Sequence, residues 1–331
     1  MESMKYIITN GCSFTRQEKR LGFNCNDTDF LNDEDKFWRW SHHIQKKYPQ
    51  YTVYNLGTPT NDNGVIVQST IKKITELLNS GVSNSDIKVI IQLSEQNRNS
   101  FYISNSVATE NDCLAIDDIT NSDDNKWAHL SAFAEDKHLE TKWGYYLLTG
   151  GYNVDHIHYP KDIIQIHAKY YSNQDSSIRF FTNIILLQNF CKVNNIEDLF
   201  MFNLSYNFIT DVEPAFYHTM EQVYLRKELP KFKIDFKTKN PYISYLYQNI
   251  DFTKFWFYKN KYTNVGGQLE WAISEFDYKV DKRLFMEHTS IDSNLETFCK
   301  TPTEYGGCTG HVSSEMNEKF VNNILKEFLE K

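Results

Sequence analysis

The 331-residue chain contains no run of eighteen uncharged apolar residues, which excludes a membrane-spanning helix of ordinary length. The opening residues Met1-Glu2-Ser3-Met4-Lys5 also lack the apolar stretch of a signal peptide. The expectation is a soluble protein made in the cytoplasm, without a membrane partner. Excess positive charge is absent too: 35 Lys and Arg stand against 43 Asp and Glu, for a net charge of -8. Phosphate neutralisation requires clustered basic residues, so a nucleic-acid partner is not expected. The six cysteines, at positions 12, 25, 113, 191, 299 and 308, form no CxxC pair and no metal-ligand spacing. They are read as mostly reduced thiols, with neither a disulfide framework nor a zinc site.

Other metal signals are equally thin. Asp117-Asp118 and Asp123-Asp124 lack the twelve-residue loop, with its Gly and closing Glu, that holds calcium. His42 and His43 are neighbours in a predicted helix, where adjacent side chains do not share a face. His156 and His158 would share a face in an extended segment, but no further ligands accompany them. No metal and no cofactor is expected, and no internal repeat is visible.

What the chain has is apolar and aromatic bulk. Hydrophobic residues make up 40% and aromatic residues 15%, including 21 Tyr and 23 Phe. That is enough to bury the core of one large domain covering residues 1–331. Exposed Tyr and Trp faces could form a sugar-binding platform. A Lys-, Asn-, Ile- and Tyr-rich composition is also what an AT-biased genome encodes, and composition does not separate the two.

Strand and helix patterns alternate along the first hundred residues. Ile7-Ile8-Thr9 reads as a strand, 37–48 as a helix carrying Trp38, Trp40 and Ile44, and Tyr51 to Asn55 as a short strand. The span from Asn63 to Leu78 puts Val67, Ile71, Ile74 and Leu78 on one helical face and stops at Ser80-Gly81. Ile87 to Leu93 reads as a strand buried on both faces. This order predicts an α/β fold with a parallel sheet and right-handed crossovers. The pattern breaks over 99–177, read as an insertion or lid. It resumes with a helix from Phe180 to Lys192 and a strand from Leu199 to Asn203. Residues 209–290 read as a second irregular, aromatic insertion, and Ser313 to Leu329 as a closing amphipathic helix.

Two residues at opposite ends of the chain point to chemistry. The first strand runs into Gly11-Cys12-Ser13-Phe14-Thr15, which sets Ser13 on a strand-to-loop turn, where nucleophiles of sheet-based hydrolases sit. His311 stands just before the last helix.

These segments resemble the SGNH (GDSL-type) hydrolase superfamily, in particular the bacteriophage proteins in which Gly-Cys-Ser-Phe-Thr replaces Gly-Asp-Ser. Four stretches match in order: Gly11 to Thr15; Asn55-Leu56-Gly57 running into Asn63-Gly64-Val65-Ile66; Ile91-Gln92-Leu93-Ser94 with Arg98 beyond; and Gly310-His311 before the closing helix. The resemblance implies a doubly wound, flavodoxin-like parallel sheet with helices on both faces and a site at the carboxyl ends of its strands. It makes Ser13 the nucleophile and His311 its base. Oxyanion donors would be the Ser13 amide, an amide of the 58–61 loop with Thr60 at the second-Gly position, and the side chain of Gln96 or Asn63. The family's Asp three residues before the His is here Cys308, so Glu304 or an acid from another loop would orient the imidazole.

The expected function is therefore a serine esterase, acyl hydrolase or acyltransferase, working through an acyl-serine intermediate on a small ester such as an O-acetylated glycan. The alternative is a catalytically degenerate SGNH scaffold, serving as a phage structural or binding protein with a virion or host protein partner. Cys308, Thr60 and Gln96 favour that alternative. A third possibility is a glycan-binding module that uses the aromatic insertions. A lipase is not supported, since no interfacial amphipathic helix is evident.

Overall fold

A computed structural model describes residues 4–12, 15, 39–57, 61–94, 96, 98–104, 140–141, 144–149, 172–203, 238–259, 266–276, 312 and 314–331. The chain opens with strand β1 (Lys5–Asn10), helix α1 (Trp40–Lys47), strand β2 (Tyr51–Asn55), helix α2 (Asn63–Asn79) and strand β3 (Ile87–Leu93). Short strands β4 (Asn99–Ser104), β5 (Glu140–Thr141) and β6 (Gly144–Thr149) follow, then helix α3 (Asn173–Val193) and strand β7 (Glu197–Phe202). Helices α4 (Pro241–Gln248), α5 (Gln268–Phe276) and α6 (Ser314–Phe320) complete the order. Beyond α6 the chain runs on helically through a π-turn at Val321–Leu325 and a last α-turn at Lys326–Leu329.

The fold is α/β, built on a four-stranded, all-parallel sheet in the order β2-β1-β3-β7. All seven residues of β3 are buried, as an inner strand of a parallel sheet covered on both faces requires. Successive side chains divide between two cores. Ile8, Val89 and Ile91 join Ile66 and Ile74 of α2 and Phe181 and Ile184 of α3 in one. Ile7, Ile90 and Met201 join Trp40 and Ile44 of α1, Leu269 of α5 and Phe320 of α6 in the other. Each fully buried Ile or Phe contributes on the order of 1.5–3 kcal/mol to burial.

Local chemistry sets the helix ends. Asp62 caps α2 by accepting the Val65 N–H at 2.8 Å. Gly81, at φ 89, takes the left-handed conformation just past the helix. Ser172 caps α3 through the Asp175 N–H, so that helix begins seven residues before the expected Phe180. Helix α1 likewise starts at Trp40 instead of Phe37; Trp40 is fully buried, whereas Trp38 lies outside the described residues.

Two stretches expected to be irregular contain regular structure. Within 99–177, β4 pairs antiparallel with β6 from Asn99↔Thr149 to Ser104↔Gly144, and β5 pairs with β6, giving a separate three-stranded sheet. Tyr, Ile and Leu in Asn99–Ser104 and Gly144–Thr149 suit a pleated surface, a signal overlooked amid the polar surroundings. Within 209–290, α4 and α5 are helical, and Phe255 forms a parallel bridge to Phe200 at the edge of β7. Among the described residues no helix is long and apolar enough to cross a membrane.

Candidate site at the carboxyl ends of the parallel strands

The chain passes from β1 to β2 on one side and returns to β3 on the other, so the carboxyl ends of β1 and β3 flank a topological switch point. Open parallel sheets bind ligands at such a point. Ser13, Thr60, Glu304 and His311 lie outside the described residues, as do Cys308, the acidic pairs at 117–118 and 123–124, and the His156/His158 pair. Asn63 and Gln96 are described, as are Cys12 and Thr15 around Ser13 and Val312 after His311.

Asn10 ends β1 with its carboxamide sunk into α2. Its Nδ2 donates toward Ile66 O at 2.9 Å, Ser69 Oγ at 2.8 Å and Thr70 Oγ1 at 2.9 Å, while its Oδ1 accepts the Gly11 N–H at 2.8 Å. A side chain at Gly11 would be driven into its surroundings: a Cβ there would lie 2.2 Å from Thr15 Oγ1 and 2.7 Å from Gln92 O. The Thr15 N–H returns to Cys12 O at 2.9 Å. Both ends of the segment that carries Ser13 are thereby fixed.

Thr15 opens a chain of buried polar contacts that crosses the site. Gln92, the penultimate residue of β3, accepts at Oε1 from Thr15 Oγ1 at 3.0 Å and from Trp40 Nε1 at 3.1 Å. Its Nε2 donates to Gln268 Oε1 at 3.1 Å, and Gln268 Nε2 donates to Asn317 Oδ1 at 2.8 Å. Asn317 Nδ2 then donates to Val312 O at 2.9 Å, a carbonyl that also accepts from Arg39 Nη1 at 3.3 Å. His43 Nε2 lies 3.1 Å from Ser314 Oγ. The residue two beyond Ser13 and the residue one beyond His311 thus sit on one continuous hydrogen-bonded path, every member of it nearly or fully buried.

On the β2 side, Asn55 Nδ2 and Ser41 Oγ both reach Thr15 O, at 3.2 and 2.8 Å. Asn61 Nδ2 reaches Gly11 O at 3.2 Å. Asn63 and Ser94 bind reciprocally: Asn63 Nδ2 donates to Ser94 O at 3.1 Å and Ser94 N to Asn63 Oδ1 at 2.9 Å. Gln96 Nε2 donates to Ser177 Oγ on α3 at 2.6 Å. Both candidate amides therefore tie strand-end loops to neighbouring elements, whatever else they do.

Among the described residues, the buried charged side chains at this end include Arg39, Asp62 and Glu270. Burial, and next the Arg39 charge, hold the His42 imidazole down to about 4, so it is neutral near pH 7. Glu270 accepts the Gly267 N–H at 2.9 Å and so caps α5. Cys12 and Cys191 are buried free thiols; burial, reinforced by Asp198, pushes Cys191 up to about 12, which makes it a poor nucleophile.

Sequence reading missed Gln92, Gln268, Asn317 and Asn203. Gln92 did leave a signal, a carboxamide in a strand whose only other polar residue is Lys88. Gln268 and Asn317 fall in helices where a polar residue is unremarkable. Among the described residues no group of three or more His, Cys, Asp or Glu could hold a metal ion. The chain matches no protein-family model, no curated protein and no solved structure.

Proposed function

We propose that the chain is an SGNH-type serine esterase that cleaves a small ester through an acyl-Ser13 intermediate. The observation that carries this reading is the buried path from Thr15 through Gln92, Gln268 and Asn317 to Val312 O. A dyad of residues some three hundred positions apart needs such a brace, because a nucleophile and its base act only when held within hydrogen-bond reach. The order β2-β1-β3-β7, extended by the parallel Phe255 bridge at β7, also supports a doubly wound sheet of flavodoxin-like order 2-1-3-4-5.

In this mechanism His311 takes the Ser13 proton as Oγ attacks the ester carbonyl. The oxyanion is met by the backbone amides of Ser13 and Thr60, aided by the carboxamide of Gln96 or Asn63. Collapse of the tetrahedral intermediate expels the alcohol, which takes the proton from His311, and leaves the acyl-serine. Water, activated by His311, then releases the acid and restores the hydroxyl. Glu304 serves as the orienting acid in place of the family's Asp. No metal or cofactor enters these steps, and the substrate is a small ester such as an O-acetylated glycan.

Labelling with a fluorophosphonate, read by intact mass, tests the reading. One adduct per chain is expected for the wild type and none for Ser13→Ala or His311→Ala. A folded wild-type protein that takes no label sinks the esterase and leaves the degenerate scaffold, which Cys308 in the orienting position favours.

A further inference from the structure

Buried polar atoms without a partner mark places where a fold leaves a cost unmet, on the order of 1–3 kcal/mol each. Three of the residues that carry them follow the carboxyl ends of three different strands. They are Asn61 after β2, through Oδ1; Ser94 after β3, through Oγ; and Asn203 after β7, through both Nδ2 and Oδ1. Asn61 is 0% exposed, Ser94 2% and Asn203 2%. Among the described amides at this end of the sheet, Asn203 alone has neither atom bonded; Asn61 Nδ2 still donates to Gly11 O.

Asn203 is the strongest case, because neither end of its carboxamide has a hydrogen-bond partner while its backbone is locked. Leu269 N donates to Asn203 O at 2.9 Å. Gly267 packs so closely that a Cβ there would lie 2.5 Å from the Asn203 carbonyl carbon. A glycine at a backbone contact and a rigid main chain present the amide without using it. The register sets its level: Leu93 pairs with Phe202, so Asn203 stands level with Ser94, two strands from β1. Two interstrand spacings make that about 10 Å, the width of a sugar ring and its substituent.

The unpartnered atoms of these three residues are neutral: the Asn203 carboxamide, the Asn61 carboxamide oxygen and the Ser94 hydroxyl. A bare acyl chain would leave these groups unpaired at full cost. We propose that Asn203, with Ser94 and Asn61, forms a binding subsite for a neutral, hydroxyl-bearing ligand, the sugar portion of an O-acylated carbohydrate. The Asn203 carboxamide both donates to and accepts from vicinal hydroxyls. The side chain is buried, so a ligand reaches it only where the packing around it gives way. The choice of a sugar ester rests on the esterase reading; the subsite itself does not.

The test joins stability to binding in a chain that cannot turn over. Asn203→Leu, nearly the same size, is made in the Ser13→Ala background and compared with Ser13→Ala alone by thermal unfolding. It is also titrated by calorimetry with mono-O-acetyl methyl glucoside. The expected result is a higher Tm together with a loss of affinity of about tenfold or more, since orphan polar groups are removed and the ligand's partners with them. Ser94→Ala, which deletes one unpartnered oxygen, is expected not to lower Tm and to weaken binding less. A fall in Tm or failure to fold for Asn203→Leu overturns the proposal, as does undetectable sugar binding by Ser13→Ala or binding that Asn203→Leu leaves unchanged. Asn203-dependent binding in a protein that takes no fluorophosphonate would retain the subsite and discard the esterase. Labelling without Asn203-dependent binding would do the reverse.

Discussion

Replacing Gln92 by Leu removes the centre of the buried path while keeping the volume of the side chain. Three groups lose their partner at once: Thr15 Oγ1, Trp40 Nε1 and Gln268 Oε1. Thr15 and Trp40 are fully buried and Gln268 is 1% exposed, so water does not replace what is lost. At about 1–3 kcal/mol for each orphaned group, and with about 1 kcal/mol returned by the apolar leucine, the net loss is about 2–8 kcal/mol. A natural domain holds roughly 5–15 kcal/mol in total. Urea unfolding followed by tryptophan fluorescence and far-ultraviolet circular dichroism reads the change as a midpoint lower by about 1 M with an unchanged slope. Adding Trp40→Phe removes one of the orphaned donors, so the double variant should lose about 1 kcal/mol less than the two single losses added together. A midpoint within about 0.3 M of wild type, or strict additivity in the double variant, would refute the claim that this path braces the sheet.

Gly11→Ala should destabilise by about 2 kcal/mol or more in thermal unfolding, because its Cβ would lie 2.7 Å from the Gln92 carbonyl oxygen, which belongs to an inner strand and cannot yield. An unchanged Tm would mean that the turn after β1 is free to shift. His42 is held near 4, below its ordinary 6.5, so as pH falls through that window the unfolded chain takes the proton first and stability is lost. His42→Gln should flatten the loss between pH 6.5 and 4 by about 2 kcal/mol, allowing for partial exposure, and identical pH profiles would contradict it. Cys191, buried and raised to about 12, should resist iodoacetamide at pH 8 in the native state and react on unfolding, as peptide mapping would show; rapid native alkylation would exclude the burial described.

The sheet was legible because its signals are local and redundant. Five of the seven residues from Ile87 to Leu93 are apolar, spread over both pleat faces, and α2 shows helical spacing, a cap at Asp62 and a stop at Gly81. Element ends were less legible, since one side chain can move them: Ser172 sets the start of α3 well before its first apolar face. The β4–β6 sheet was missed because short strands whose partners lie some forty residues away carry no local sign of pairing. Phe255 was invisible for the same reason, as a bridge of one residue to Phe200 depends wholly on where α4 has carried the chain.

The site shows a different limit. Ser13 and His311 are singled out in the sequence by residue type and by their order relative to the first strand and the last helix, and both lie outside the described residues. The residues between Thr15 and Val312 are not singled out, because an amide in a sequence says nothing about whether it will be satisfied. Gln92 and Asn203 are the same chemistry at neighbouring strand ends, yet one has three partners and the other none. That difference has opposite consequences for stability: removing a satisfied buried amide orphans its partners, whereas removing an unsatisfied one relieves the fold. The sign of the Tm change therefore sorts the two groups without any assay of function. Gln92→Leu is expected to lower Tm because the amide braces the scaffold. Asn203→Leu is expected to raise it, as expected of an amide that the fold retains for a ligand at some cost in stability.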